Sequence, residues 1–509
     1  MKLWWLTAIL VIALGVMPVW AQDATGEDTE DVEREAMTAD EDEVVPGADE
    51  TQREDLGKRG EIVAGEGDVD AARDWATRIK NPTSCFTWGA DLRLREVYIK
   101  NPIIFNNDTR DPGSGIAPGP GGEWHYQRYR TRLWGKAKIT DDIDVNARLV
   151  WEFRNWCKPD GRLEAIGSGD DGFDADEALF DHLNVQWRNA FGLPLTITVG
   201  RQDIIIGNGW LVLDGTPLDG SRTIYFDAVR FQYDIHPINT NVDISYIEQG
   251  AAADKHIEPF NDRERNVTEQ NERGVIMNVV NRSIKDQELG GYFIWKQMEQ
   301  EGRAGDFGNI YTVGFRAAGK LGENWVYRAE AASQTGRKNG NRLCAFGTNN
   351  RLTYQFHDPL QNELRVSYEF LSGDQDDTRG KDEAFDPLWG RWPQFSEAAI
   401  YGYAGETRIA EVTNLHRLSL GWSFKPCEKL EVCTDYHLLW ANHNPLAANP
   451  GFSEEGKFRG QIVTLLLRYQ ITENISGHLV GEALFPGNYY DDTRNDPSVF
   501  ARYELSFKF

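Results

Sequence analysis

Beyond its first two dozen residues the sequence has no apolar run near the ~20 residues a helix needs to span a bilayer, so a helical-bundle membrane protein is excluded. Cysteine is scarce and odd in number: Cys85, Cys157, Cys344, Cys427 and Cys433. They show no metal-site spacing and allow at most two disulfides within one chain. The nine histidines form no H-x-x-x-H pair, and neither a G-x-S-x-G elbow nor a phosphate-cradling glycine loop occurs. No catalysis, cofactor or metal is therefore expected. Positive charge is outweighed too, with 54 Lys+Arg against 80 Asp+Glu and a net charge of −26, the wrong balance for a nucleic-acid partner.

What is present begins with "MKLWWLTAILVIALGVMPVWAQ", a basic Lys2, an apolar run and a small-x-small-type site at Val19–Ala21. It reads as a secretory signal peptide spanning residues 1–21, cut after Ala21. Residues 22–74 then carry 20 Asp/Glu against 5 Lys/Arg and almost no aromatics. Such a stretch cannot bury enough apolar surface to order itself, so residues 22–84 are expected to be an acidic, disordered periplasmic segment that could meet a periplasmic partner.

From residue 85 to 509 the pattern changes. There are 17 Trp, 18 Tyr, 24 Phe and 49 Gly in the chain, and segments alternating apolar with polar recur. In "ADLRLRE" Ala90, Leu92 and Leu94 stand against Asp91, Arg93 and Arg95; in "DVNARLVWEFRN" Val145, Ala147, Leu149, Trp151 and Phe153 stand against Asn146, Arg148, Glu152 and Arg154. A period of two marks β-strands with one apolar and one polar face. About 18 such strands can be traced, separated in rough alternation by tight turns ("TDDI", "GEN", "TEN") and long polar loops. Short turns at one rim and long loops at the other are the plan of an outer-membrane barrel. The fold class expected is thus all-β, a transmembrane antiparallel barrel over residues 85–509, in contact with outer-membrane lipid and lipopolysaccharide. The last strand, "VFARYELSFKF", ends on Phe509 and has the aromatic-ended form that barrel insertion machinery reads.

The polar faces are rich in arginine. Arg93, Arg95, Arg128, Arg130, Arg132, Arg148, Arg154, Arg188, Arg328, Arg365 and Arg417 fall there, with Arg230 and Arg316 less cleanly placed. Some should brace the wall against Glu152, Glu330, Glu363 or Glu369. Guanidiniums converging in a narrow lumen also concentrate anions and grip carboxylates bidentately. The acidic loops "GSGDDGFDADE" and "SGDQDDTRGKDE" lack the EF-hand ligand spacing for Ca²⁺.

Three stretches carry a family resemblance. "LTITVGRQDIIIGNGWLVLDGTPLDGSRTIYFDAVRFQYD", "SYEFLSGDQDDTRGKDEAFDPLWGRWPQFSEAAIYG" and "GHLVGEALFPGNYY" with the terminal strand resemble the alginate export family of outer-membrane proteins. The resemblance implies a monomeric 18-stranded barrel that passively secretes a polyuronate through an electropositive constriction. Carried over by motif, Arg201, Arg222 and Arg230 are constriction candidates, and Arg93 and Arg130 match more loosely. The motif "RTIYFDAVR" has an insertion relative to the family's R-T-F-D. The function expected is passage of an anionic polysaccharide such as alginate along a path including Arg93, Arg130, Arg148, Arg201, Arg222, Arg230, Arg328 and Arg365. A general or small-anion porin on the same fold is the alternative, and a secreted β-rich glycan-binding or glycan-cleaving protein is a second.

Overall fold

The structure is a computed structural model that describes residues 77–103, 105–106, 122–158, 173–214, 225–252, 255–260, 268, 270–301, 305–375, 380–390, 393–402, 406–407, 411–447 and 449–509. Residues 1–76, where a signal peptide and most of an acidic disordered segment are expected, lie outside the described residues.

The chain opens with five wall strands, β1 (Phe86–Lys100), β2 (Glu123–Lys138), β3 (Ile143–Lys158), β4 (Phe173–Trp187) and β5 (Leu195–Gln202). Two short strands, β6 (Ile204–Ile205) and β7 (Leu213–Asp214), then leave the wall and pair with each other. The wall resumes with β8 (Phe226–Ile235), β9 (Thr240–Gln249), β10 (Gln270–Asn281), β11 (Gln287–Gln300) and β12 (Gly308–Leu321). It continues with β13 (Trp325–Lys338), β14 (Asn341–Gln355) and β15 (Glu363–Leu371). A second departure holds β16 (Lys381–Asp382) and a short helix α1 (Glu397–Gly402). The last wall strands are β17 (Leu415–Cys427), β18 (Leu430–Trp440), β19 (Phe458–Gln470), β20 (Ile475–Pro486) and β21 (Ser498–Lys508).

Each wall strand pairs antiparallel with the next, and β21 pairs with β1 from Val499↔Lys100 to Lys508↔Asp91. The result is a closed antiparallel barrel whose wall has eighteen strands among the described residues. Pairing the last strand with the first leaves the sheet with neither a first nor a last strand exposed as an edge, the condition for a sheet to stand in lipid. On one rim the connections are two to seven residues long; on the other they reach residues 372–414. The shortest connection on the long-loop rim is the two-residue turn Asn339-Gly340, both at positive φ, which suits a tight hairpin.

The alternation read from sequence is the alternation of the wall. Phe315, Val313 and Tyr311 of β12 are exposed outward, whereas Ile310, Thr312 and Arg316 are buried inward. Leu133, Trp151, Val199, Phe231, Leu420, Val463 and Tyr503 continue the outward apolar surface around the barrel. Each such side chain left in water would forgo about 1.5–3 kcal/mol of burial. A closed wall with a continuous apolar exterior and a polar interior is stable only in a bilayer.

Both departures from the wall fold inward. Trp210 stacks on Phe385 with ring centroids 5.5 Å apart, and Val212 forms a parallel bridge with Trp389. Trp389 N donates to Leu211 O at 3.0 Å, and Leu213 N donates to Trp389 O at 3.2 Å. Gly390 is required at this join, because a Cβ there would lie 2.0 Å from the Trp210 carbonyl oxygen. The two inserts are therefore one packed unit within the lumen, built around Trp210, Leu211, Val212, Phe385, Leu388 and Trp389.

Candidate functional site

The inward faces of β21, β1, β2 and β3 bring most of the early arginines together. Positions 502–504, 91–95, 128–132 and 152–154 of these strands carry seven inward arginines and three inward carboxylates. Register sets Arg93 directly opposite Arg130 and Arg95 directly opposite Arg128. Like charges facing each other across a ladder repel, so acidic groups are interleaved. Glu504 bonds Arg95 and approaches Arg93 at 3.8 Å; Asp91 meets Arg132 at 2.8 Å and Arg130 at 3.4 Å; Glu152 bonds Arg128.

A second inward group stands across the lumen. Arg328 of β13 is directly opposite Arg351 of β14, with Arg365 and Arg417 on the following strands. Arg365 donates to Ser423 Oγ at 2.6 Å and contacts Asp435 at 3.3 Å; Arg417 pairs with Glu369 at 3.0 Å. The strands of the two opposed pairs are eight wall strands apart in one direction and ten in the other, nearly diametric.

The other sequence-predicted arginines are placed separately. Arg148 spans from the wall to the first insert, holding Asp181 at 2.7 Å and both oxygens of Asp203 at 3.1 Å. A register shift between Arg148 and Leu149 creates a bulge in β4 that turns Asp181 toward it. Arg230 is inward and bonds Asp243. Arg201 does not join the others. Its register partners are Leu183 and Asp227, on the face that carries the exposed Val185 and Val199. Arg201 is buried over the Tyr225 ring, 3.6 Å to the centroid, pairs with Asp227 at 3.0 Å, and donates to the Phe180 carbonyl at 2.8 Å. That carbonyl lies just past the last β4–β5 pair, so Arg201 closes the seam where the ladder stops. Arg222 lies outside the described residues.

Sequence reasoning missed Arg351 and the groups that fix the inserts to the wall. Trp210 Nε1 donates to Glu369 at 3.0 Å, Lys296 Nζ to the Leu388 carbonyl at 2.9 Å, and Gln334 Nε2 to the Asp386 carbonyl at 2.7 Å. Lys338 reaches Asp386 at 2.9 Å, Glu411 at 3.2 Å and Asp306 at 3.3 Å. These three carboxylates have cation-site spacing, but the Lys338 ammonium stands among them. Burial alone would raise the Asp386 carboxyl; Lys338 and Lys296 outweigh it and hold that carboxyl well below the usual range. Near α1, Glu482 accepts from Ser396 Oγ at 2.7 Å, and Arg502 donates to Glu397 at 2.9 Å. Side chains of this kind gave no local signal, because each contact joins positions far apart in the chain.

A closed membrane barrel with a charged lumen narrowed by inserts is an outer-membrane channel of the porin and export type. The alginate export family model matches residues 109–502, and the chain belongs to that family. No curated protein matches the chain. Among solved structures, OpdQ of Pseudomonas aeruginosa is similar at 11% identity and a TM-score of 0.52, covering 83% of this chain and 97% of that one. OccAB4 of Acinetobacter baumannii is similar at 9% identity and a TM-score of 0.51, covering 84% and 100%. OccK2 (OpdF) of Pseudomonas aeruginosa, solved in complex with glucuronate, has 11% identity, a TM-score of 0.50 and coverage of 83% and 98%. At these identities the likeness is one of fold.

Proposed function

We propose that the barrel passes an anionic polysaccharide such as alginate by diffusion, with the inward arginines as its path. The observation that carries this reading is the pair of arginine groups on nearly opposite walls, centred on Arg93–Arg130 and Arg328–Arg351. Clustered guanidiniums with interleaved carboxylates attract a polyanion without holding it at one deep site, since each glycan carboxylate competes with a resident acid. Such weak, repeated contacts suit conduction. Arg148, Arg230 and Arg365 extend the path, whereas Arg201 is assigned to the seam.

A second reading is a porin for short uronates or small anions. It is favoured by the inserts, whose packed unit within the lumen would narrow the way for a long chain. The solved complex of OccK2 with glucuronate is a case of a uronate bound on this fold. The test is reversal of charge at the first arginine pair. Arg93→Glu with Arg130→Glu should turn an anion-selective pore toward cations and weaken block by an oligouronate at least tenfold, about 1.4 kcal/mol. Selectivity unchanged in the double variant would contradict the path.

A further inference from the structure

Outside the lumen, three adjacent strands present a carboxylate, an imidazole and a thiol to one another. Glu96 of β1, His125 of β2 and Cys157 of β3 lie toward the long-loop rim, on the face opposite to Arg95, Arg128 and Arg154. One ligand atom from each lies within 4.8 Å of the others. His125 Nε2 bonds Glu96 Oε1. The second carboxylate oxygen, Oε2, accepts from Gln127 Nε2 at 3.1 Å and from Tyr503 OH at 3.2 Å. Those two donors fix the carboxylate so that Oε1 is the oxygen turned toward His125. The β2–β3 register shifts between His125 and Tyr126, pairing His125 with Lys158, so Cys157 is the extra residue of a bulge beside His125. Bulges re-aim side chains, and this one brings the thiol to the imidazole.

We propose that Glu96, His125 and Cys157 bind one divalent cation of the zinc class. The donor set is that of a borderline-soft ion: thiolate, imidazole nitrogen and carboxylate oxygen. Ligands around a tetrahedral zinc stand about 3.5 Å apart. Binding therefore requires the hydrogen-bonded His125 Nε2 and Glu96 Oε1 to part and admit the ion between them and Cys157 Sγ, a side-chain adjustment on a backbone fixed by two ladders. The hydrogen bonds to Oε2 supply the outer support that orients a metal-binding carboxylate. On binding, the Cys157 thiol releases its proton to solvent, His125 coordinates through Nε2 as the Nδ1–H tautomer, and the fourth position takes water. The ion would join three strands at the rim. Residues 96, 125 and 157 form no spaced motif because each comes from a different strand.

The test is titration of the folded, detergent-solubilised full chain with Co²⁺, followed by displacement with Zn²⁺. One equivalent should bind with a thiolate-to-cobalt charge-transfer band that Zn²⁺ removes. Cys157→Ser should abolish the band and His125→Ala should weaken binding at least tenfold, whereas Cys344→Ser, at an exposed cysteine on β14, should leave both unchanged. As a check on the unaltered chain, Zn²⁺ should slow alkylation of Cys157 but not of Cys344, read by mass spectrometry. No thiolate band, a band that survives Cys157→Ser, affinity unchanged in His125→Ala, or equal alkylation of the two cysteines would overturn the proposal.

Discussion

At the scale of single residues, Arg201 separates bracing from conduction. Its guanidinium is buried, pairs with the partly buried Asp227 and donates to the Phe180 carbonyl. Arg201→Leu leaves that carboxylate without its partner and the Phe180 carbonyl without its donor, a loss of about 1–3 kcal/mol. Urea unfolding in detergent should register that loss while anion selectivity stays unchanged; altered selectivity would return Arg201 to the path. The inward placement of Arg93, Arg130, Arg148, Arg230, Arg328 and Arg365 was legible in the sequence, because facing follows from the two-residue period of each strand. The same parity was available for Arg201: in "LTITVGRQ" Ile197 and Val199 share its phase, opposite Thr196 and Thr198. Motif position pointed to the constriction, and strand phase points to the seam.

At the scale of elements, the inserts depend on the Lys338 cluster at the end of β13. Asp386 is held ionised in the folded state by Lys338 and Lys296 against the cost of burial. A carboxyl whose folded pKa is depressed contributes its full stability above its unfolded value near ~3.9, and the contribution is lost progressively as the pH falls from there through the lower folded value. Single-channel gating should therefore be steady from neutral pH to about 5 and become noisy below about 4 as the insert loosens. Lys338→Met, which leaves Asp306, Asp386 and Glu411 without that ammonium, should show the noise at pH 7; quiet gating in this variant would argue that the insert is held elsewhere. The wall was readable as strands because its signal is local. The inserts were not, since "DGTPLDG" and "SGDQDDTRG" carry the polar, glycine-rich look of solvated loops. The apolar runs "IIIGNGWLVL" and "FDPLW" within the same segments were the available sign that they bury something.

At the scale of the whole molecule, the fold closes where its ends meet. Phe509 exchanges backbone hydrogen bonds with Ala90, at 2.8 and 3.2 Å, and its ring lies 5.4 Å from that of Trp88. Lys80 sits over the same ring, and Trp88 Nε1 donates to the Ile79 carbonyl, so the start of the described chain packs at this closure. Deleting Phe509 should remove about 1 kcal/mol of aromatic contact and lower the yield of folded barrel seen by heat-dependent gel mobility. An undiminished yield would show that closure does not depend on it. What the closed barrel conducts is open to direct test. The measurement that tests it most directly is single-channel conductance of the refolded protein in a planar bilayer, with an oligouronate and then a neutral oligosaccharide of equal length. An anion-selective current blocked by the uronate alone is the expected result; a current indifferent to both sugars would contradict passage of an anionic polysaccharide.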